Sequence, residues 1–156
     1  MFLELNCYNL AENKRNVREI MKAMFQKYQL GTADNKLYAQ KEMENFPDIL
    51  IILVKRIRFN GINMNADQFK LGFGTDLSFR DFGVQNATYA IQSIIINDQF
   101  NNDFGAYSCL VFNDEKFLKN ASDSFMFCER GSNPVEAQFQ PELASIPWVL
   151  IYSKKG

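Results

Sequence analysis

Phe46-Pro47-Asp48-Ile49-Leu50-Ile51-Ile52-Leu53-Val54-Lys55-Arg56-Ile57-Arg58-Phe59 is the stretch on which the fold turns. Residues 49–54 are uninterrupted aliphatics, far short of the about 20 that a membrane helix needs. A short β-branched run of this kind fits a strand covered on both faces. Pro47 suits the entry to a strand, because a proline inside it would remove a ladder hydrogen bond. After Val54 the pattern alternates, so the strand is expected to leave the core and enter solvent, closing at the turn dipeptide Asn60-Gly61. On this reading Lys55, Arg56 and Arg58 form a solvated strand end, with Arg56 and Arg58 sharing one face. A nucleic-acid footprint normally needs a broader basic surface than this single cluster.

Upstream lies the one long helical pattern. Asn16-Val17-Arg18-Glu19 has the spacing of a capping box with Asn as the cap. Val17, Ile20, Met21, Met24, Phe25 and Tyr28 then recur at helical spacing, and Gly31 is a natural stop. Downstream, short apolar segments alternate with clusters of Gly, Asn and Asp. Strands are expected over 89–96, 106–112, 125–128 and 148–152, with a polar loop over 97–105. Leu3-Glu4-Leu5-Asn6-Cys7 reads as a first strand. The fold class is therefore α+β: a mainly antiparallel sheet with one principal helix packed on it. Val17, Ile20, Met24, Ile51, Leu53, Ile95, Val111 and Leu150 are expected in its core.

Length and composition narrow the chemistry. The 156 residues are one domain's worth, so a single domain over 1–156 is expected. Hydrophobic residues at 47% and 15 Phe supply a core without disulfide or metal staples. A net charge of -1 gives no drive towards nucleic acid or acidic lipid, and neither partner is expected. Histidine is absent from the chain. No Ser-His or Cys-His pair can form within it, and the commonest metal ligand is missing. Cys7, Cys109 and Cys128 are an odd set without a CxxC, so they do not make a closed zinc site. Neither metal nor cofactor is expected. The opening Met1-Phe2-Leu3-Glu4-Leu5 lacks a basic n-region and an apolar h-region, which points to a cytoplasmic or nuclear protein with reduced thiols.

The order of the segments carries a resemblance. The stretch 46–57 resembles the "LPxxLIIxLKRF" strand of ubiquitin-specific proteases. Lys70-Leu71 stands where that family has a Lys-Leu, and Tyr89-Ala90-Ile91-Gln92-Ser93-Ile94-Ile95-Ile96-Asn97 where it has "Y-x-L-x-x-I-I-x-H". Gly105-Ala106-Tyr107 stands in place of the family's Gly-His-Tyr. Phe125-Met126-Phe127-Cys128-Glu129 and Trp148-Val149-Leu150-Ile151-Tyr152 are similar to its last two motifs. The resemblance runs over roughly 2–155 and implies the palm half of a papain-like catalytic domain.

The departures fall on the chemistry. The resemblance places the general base at Ala106, whose methyl group cannot take a proton. It places the orienting Asp or Asn at Cys128 and the accessory acid at Glu129. The nearest string to a nucleophile box is Asn6-Cys7-Tyr8-Asn9, which makes Cys7 the one thiol to weigh as nucleophile. Phe100, Phe104, Gly105 and Tyr107 flank the vacated position and are the candidate binding residues. These substitutions imply a catalytically inactive module that binds protein, with ubiquitin or a ubiquitin-like protein and other subunits as partners. Two alternatives stand beside it. One is part of an active deubiquitinating cysteine protease whose Cys box lies on another segment or chain. The other is a structural subunit of a large complex without ubiquitin affinity.

Overall fold

The computed structural model describes residues 1–8, 10–31, 35–41, 43, 45–59, 61–62, 64–67, 69–83, 87–97, 107–112, 125–129, 135–137 and 146–156. In chain order its elements are β1 (Phe2–Asn6), α1 (Val17–Phe25), β2 (Tyr28–Leu30), β3 (Leu37–Ala39), β4 (Ile49–Lys55), β5 (Ile57–Phe59), β6 (Met64–Ala66), β7 (Asp76–Ser78), β8 (Thr88–Asn97), β9 (Tyr107–Phe112), β10 (Phe125–Glu129), β11 (Val135–Ala137) and β12 (Pro147–Lys154). Single 3-10 turns cover Glu12–Lys14 and Phe79–Phe82. The main sheet runs β1-β4-β12-β8-β9-β10-β11, with β7 added alongside β8. Every neighbouring pair is antiparallel except β1 with β4. The fold is α+β, a mainly antiparallel sheet with one main helix.

Helix α1 starts where its cap dictates. Asn16 is extended, and its side-chain oxygen accepts the Arg18 N–H at 2.9 Å. Val17, Ile20, Met21 and Phe25 are buried, the i, i+3, i+4, i+8 stripe of an amphipathic helix. The helix ends sooner than the sequence pattern predicts. Gln26 turns to an extended conformation, and Tyr28, expected on the helical stripe, instead begins β2 and is exposed. Gly31, at φ +100, sits beyond β2 in the β2–β3 ribbon rather than at a helix end.

The core lies on one face of the sheet. Leu50, Ile52 and Val54 of β4, Leu150 and Tyr152 of β12, Leu110 of β9 and Leu5 of β1 join the helix stripe in one buried cluster. Phe79 is its aromatic hub, with ring centroids 5.3 Å from Phe46, 5.5 Å from Phe82 and Tyr89, and 5.9 Å from Phe25. Strand β8 needs a correction to stay in this cluster. Tyr89 and Ile91 are buried, and so are Ile94 and Ile96. The register with β12 slips between Ile151 and Tyr152, passing over Gln92, and this bulge restores apolar residues to the inner face.

Alternation also overturns part of the expected core. Val17, Ile20 and Leu150 are buried, and Met24 is partly buried against the cluster. Ile51 and Ile95 are only half-buried, while Leu53 and Val111 are 37% and 42% exposed. These four occupy the opposite sheet face, one residue out of phase with Leu50, Ile52, Ile94 and Leu110. A run that is aliphatic at every position hides which parity faces inward.

The expected continuous strand over 49–59 is broken at Arg56. Beyond it β5 pairs with β6 in a separate ribbon. The segment 69–73 is not a strand. Gly72 instead bridges to Asn16, accepting the Val17 N–H at 2.8 Å and donating its own N–H to Arg15 at 2.9 Å.

Candidate functional site

One end of the sheet collects four of the eight candidate site residues. Asn6 at the end of β1 pairs with Lys55, Pro147 with Ile96, Ile96 with Ser108, and Ser108 with Glu129. Tyr107, the first residue of β9, pairs with Asn97, and Cys128 of β10 pairs with Cys109. Cys7, Tyr107, Cys128 and Glu129 therefore share this end. Phe100, Phe104, Gly105 and Ala106, and with them the loop over 98–105, lie outside the described residues.

Sharing an end is not sharing a reaction centre. From β1 to β9 there are four strand steps of about 4.8 Å, so Cys7 stands on the order of 19 Å from the start of β9. A thiol and its base must approach within about 2.6–3.2 Å. Cys7 is also fully buried. Burial raises its pKa, with partial relief from the Arg56 and Arg15 guanidinium charges, so the thiol form is favoured.

The polar centre of this end is Arg56, which the sequence assigns to solvent and the structure places at 1% exposure. Its Nε donates to the Pro147 carbonyl at 2.8 Å, and its Nη1 to the carbonyls of Phe69 at 2.8 Å and Asp67 at 3.1 Å. The guanidinium carbon lies 4.3 Å from the centre of the Phe69 ring. One side chain thus ties the end of β4, the start of β12 and the segment after β6 together. Burial lowers the Arg56 pKa to about 10, still charged at neutral pH. Arg58 stays outside, stacked 4.4 Å over the Tyr8 ring and paired with Asp67 at 2.6 Å. Arg56 and Arg58 therefore do not form the shared solvated face that alternation predicts. Strand pairing stops at Arg56 and resumes with different partners. The missed signal is the basic residue two positions beyond an apolar run, with Phe69 thirteen residues on to cover it.

Near the same end, a groove of about 590 Å³ is lined in part by Asn6, Leu10, Ile20 and Met24, with Lys14 and Lys22 also contributing. Among the described residues no three His, Cys, Asp or Glu side chains cluster as a metal site. Nor is any described helix long and apolar enough to cross a membrane.

Solved structures share this architecture. The SAGA DUB module of Ubp8, Sgf11, Sus1 and Sgf73 bound to monoubiquitin contains a chain that superposes with a TM-score of 0.72 at 16% identity, over 98% of this chain and 35% of that one. Another structure of the Ubp8-Sgf11-Sgf73-Sus1 SAGA DUB module gives 0.70 at 16% identity, over 99% and 33%. Its complex with ubiquitin aldehyde gives 0.69 at 13%, over 99% and 35%. The fold is ubiquitin-specific-protease-like. This chain spans about a third of the solved chains it matches. No protein-family profile matches the sequence, and comparison with curated proteins found no match.

Proposed function

We propose that this chain is a catalytically inactive ubiquitin-specific-protease-like module that binds protein within an assembly, with ubiquitin as its candidate ligand. One observation carries the proposal. The position that the resemblance assigns to the general base is Ala106, in a chain without any histidine. The orienting and acidic positions are Cys128 and Glu129, and a thiol is a poor acceptor for an imidazole N–H. Cys7 adds no nucleophile: it is buried, its pKa is raised, and it stands four strands from β9. Support for ubiquitin comes from the solved modules of the same fold that hold monoubiquitin or ubiquitin aldehyde. Tyr107, with Phe100, Phe104 and Gly105, would line the contact. A cytoplasmic or nuclear location fits such a partner.

The test is a pair of measurements on the same protein. Monoubiquitin titrated into isotopically labelled protein should move a contiguous set of amide signals, including Tyr107. Ubiquitin with a C-terminal thiol-reactive group should label no cysteine. Covalent labelling would overturn the inactive reading, and a titration without shifts would leave a purely structural subunit.

A second reading is favoured by the span of the match, about a third of each solved chain. The module would then form part of an active deubiquitinating protease whose Cys box lies on another segment or chain. It predicts ubiquitin-ester hydrolysis once that segment is supplied, with a base from outside position 106.

A further inference from the structure

The sheet has a second apolar face, opposite the core, and we infer that it is an interface between two copies of this chain. It runs over five neighbouring strands, β1, β4, β12, β8 and β9. Register fixes its members, because residues directly opposed in a ladder project to the same side. One row across the strands is Phe2, Ile51, Ile151, Ser93 and Val111. The next row holds Leu53, Val149 and Ile95, and Ile49 flanks Ile51 along β4. A sheet face built for water carries polar side chains. Among the residues just named only Ser93 is polar. Water nevertheless reaches them: Phe2 is 67% exposed, Ile49 45%, Val111 42% and Leu53 37%, and the other five are half-buried. A contiguous apolar patch of this kind marks an interaction surface.

Size and charge point to a second copy as the occupant. At these exposures, covering the face removes on the order of 500 Å² of each chain from water, so a dimer buries about 1,000 Å², the size at which specific interfaces begin. A two-fold axis sets one patch against itself, so a self-complementary surface suffices. The charges permit this. Glu4 and Lys55 are the charged residues of these five strands on this face, and they neutralise each other across 3.5 Å. No unpaired charge then meets its own image across the axis, and the net charge of -1 gives little repulsion between copies. The side chains suit the contact as well, since aliphatics on two aligned sheets about 10 Å apart interdigitate as the inner layer of a sandwich. The contact uses the flat of the sheet, not the end where Tyr107 begins β9, so it does not depend on ubiquitin binding.

The experiment is sedimentation equilibrium of the whole chain from about 1 to 100 μM, the range in which an interface of this size assembles. The average mass should rise from one chain to two, with no larger species. Phe2→Ser, at a side chain too exposed to support the fold, should raise the dissociation constant about tenfold or more. Leu53→Lys, which brings a charge and its two-fold image into the seam, should abolish the dimer. Phe59→Ser is the control. It removes an aromatic ring that is 69% exposed but sits on the separate β5–β6 ribbon, and it should leave the dimer unchanged. Circular dichroism checks the fold of each variant, and Phe2→Ser decides if Leu53→Lys does not fold. A wild-type chain that stays monomeric over the whole range would overturn the assignment. So would a dimer untouched by Phe2→Ser, or one that Phe59→Ser weakens as much.

Discussion

Replacing Arg56 by Met tests whether a buried, unpaired charge holds this sheet end together or burdens it. Two opposing terms decide the sign. Desolvation lowers the Arg56 pKa from its ordinary value to about 10, so burial of the charged form is the unfavourable term. Against it stand three hydrogen bonds from the guanidinium to the carbonyls of Pro147, Asp67 and Phe69. Charge-assisted bonds contribute about 1.5–3 kcal/mol each, and losing the donor strands the acceptors. The bonds win. Met recovers most of the packing on Phe69 but none of the donors, so Arg56→Met should lower stability by about 2–4 kcal/mol. Lys should be no rescue, because one ammonium cannot span three carbonyls arranged for a fork. The assay is urea denaturation followed by the fluorescence of Trp148, the sole tryptophan and the neighbour of the Pro147 acceptor. A Met variant within about 0.5 kcal/mol of the wild type, or above it, would refute the reasoning, as in proteins where desolvation outweighs a buried charge's contacts.

Ile52→Ala should cost about 2–5 kcal/mol by chemical denaturation, whereas Leu53→Ala, on the opposite face, should cost under about 1 kcal/mol. Equal losses would contradict the assignment of faces. Stability should decline on the alkaline side, because burial raises the pKa of Cys7, Tyr89 and Tyr152. Their contribution is fully present below the unfolded values of about 8.5 and 10 and is lost above them, where the unfolded chain gives up its protons first. Tyr152→Phe should flatten the part above pH about 10, while costing about 1 kcal/mol at neutral pH for the bond to the Gly74 carbonyl. Gly72→Ala should disturb the helix start, since its Cβ would meet the Asn16 side-chain nitrogen at 2.8 Å. A loss of about 0.5–2 kcal/mol, the range for a helix cap, is expected in a melt. Ala106→His, alone or with Cys128→Asp, should leave ubiquitin-ester hydrolysis at background, because a base without a nearby nucleophile does nothing.

Helix α1 and strand β4 were legible because each rests on local rules: a cap followed by a 3.6-residue stripe, and a short β-branched run behind a proline. The inner face of β4 was not, because Ile and Leu fill both parities. Only the helix, Phe79 and Tyr89 choose between them. Tyr28 fits the stripe of α1 in phase but is captured by a ribbon whose other strand begins seven residues beyond β2, a non-local pairing that periodicity does not report. Arg56 misleads for a related reason. Its environment is assembled from Pro147, 91 residues away, and Phe69, 13 away. The candidate site divides in the same way. The resemblance assigned Ala106, Cys128, Glu129 and Cys7 the positions of a degenerate catalytic site, but did not show the four strand steps between Cys7 and β9. Nor could it foretell the register that faces Cys109 with Cys128.

The position of β12 has a consequence for how the protein is made. The strand formed by residues 147–154 lies inside the sheet, between β4 and β8, and supplies the partners of both. Until a ribosome has delivered that segment, β1–β4 and β8–β11 are two fragments, each with an apolar edge waiting for the same strand. Closure links positions about 100 residues apart, so the loop-closure entropy comes late and all at once. A nascent chain stalled before residue 147 should therefore be protease-sensitive and dependent on chaperones, and trimming residues 147–156 should yield aggregate rather than a smaller folded domain.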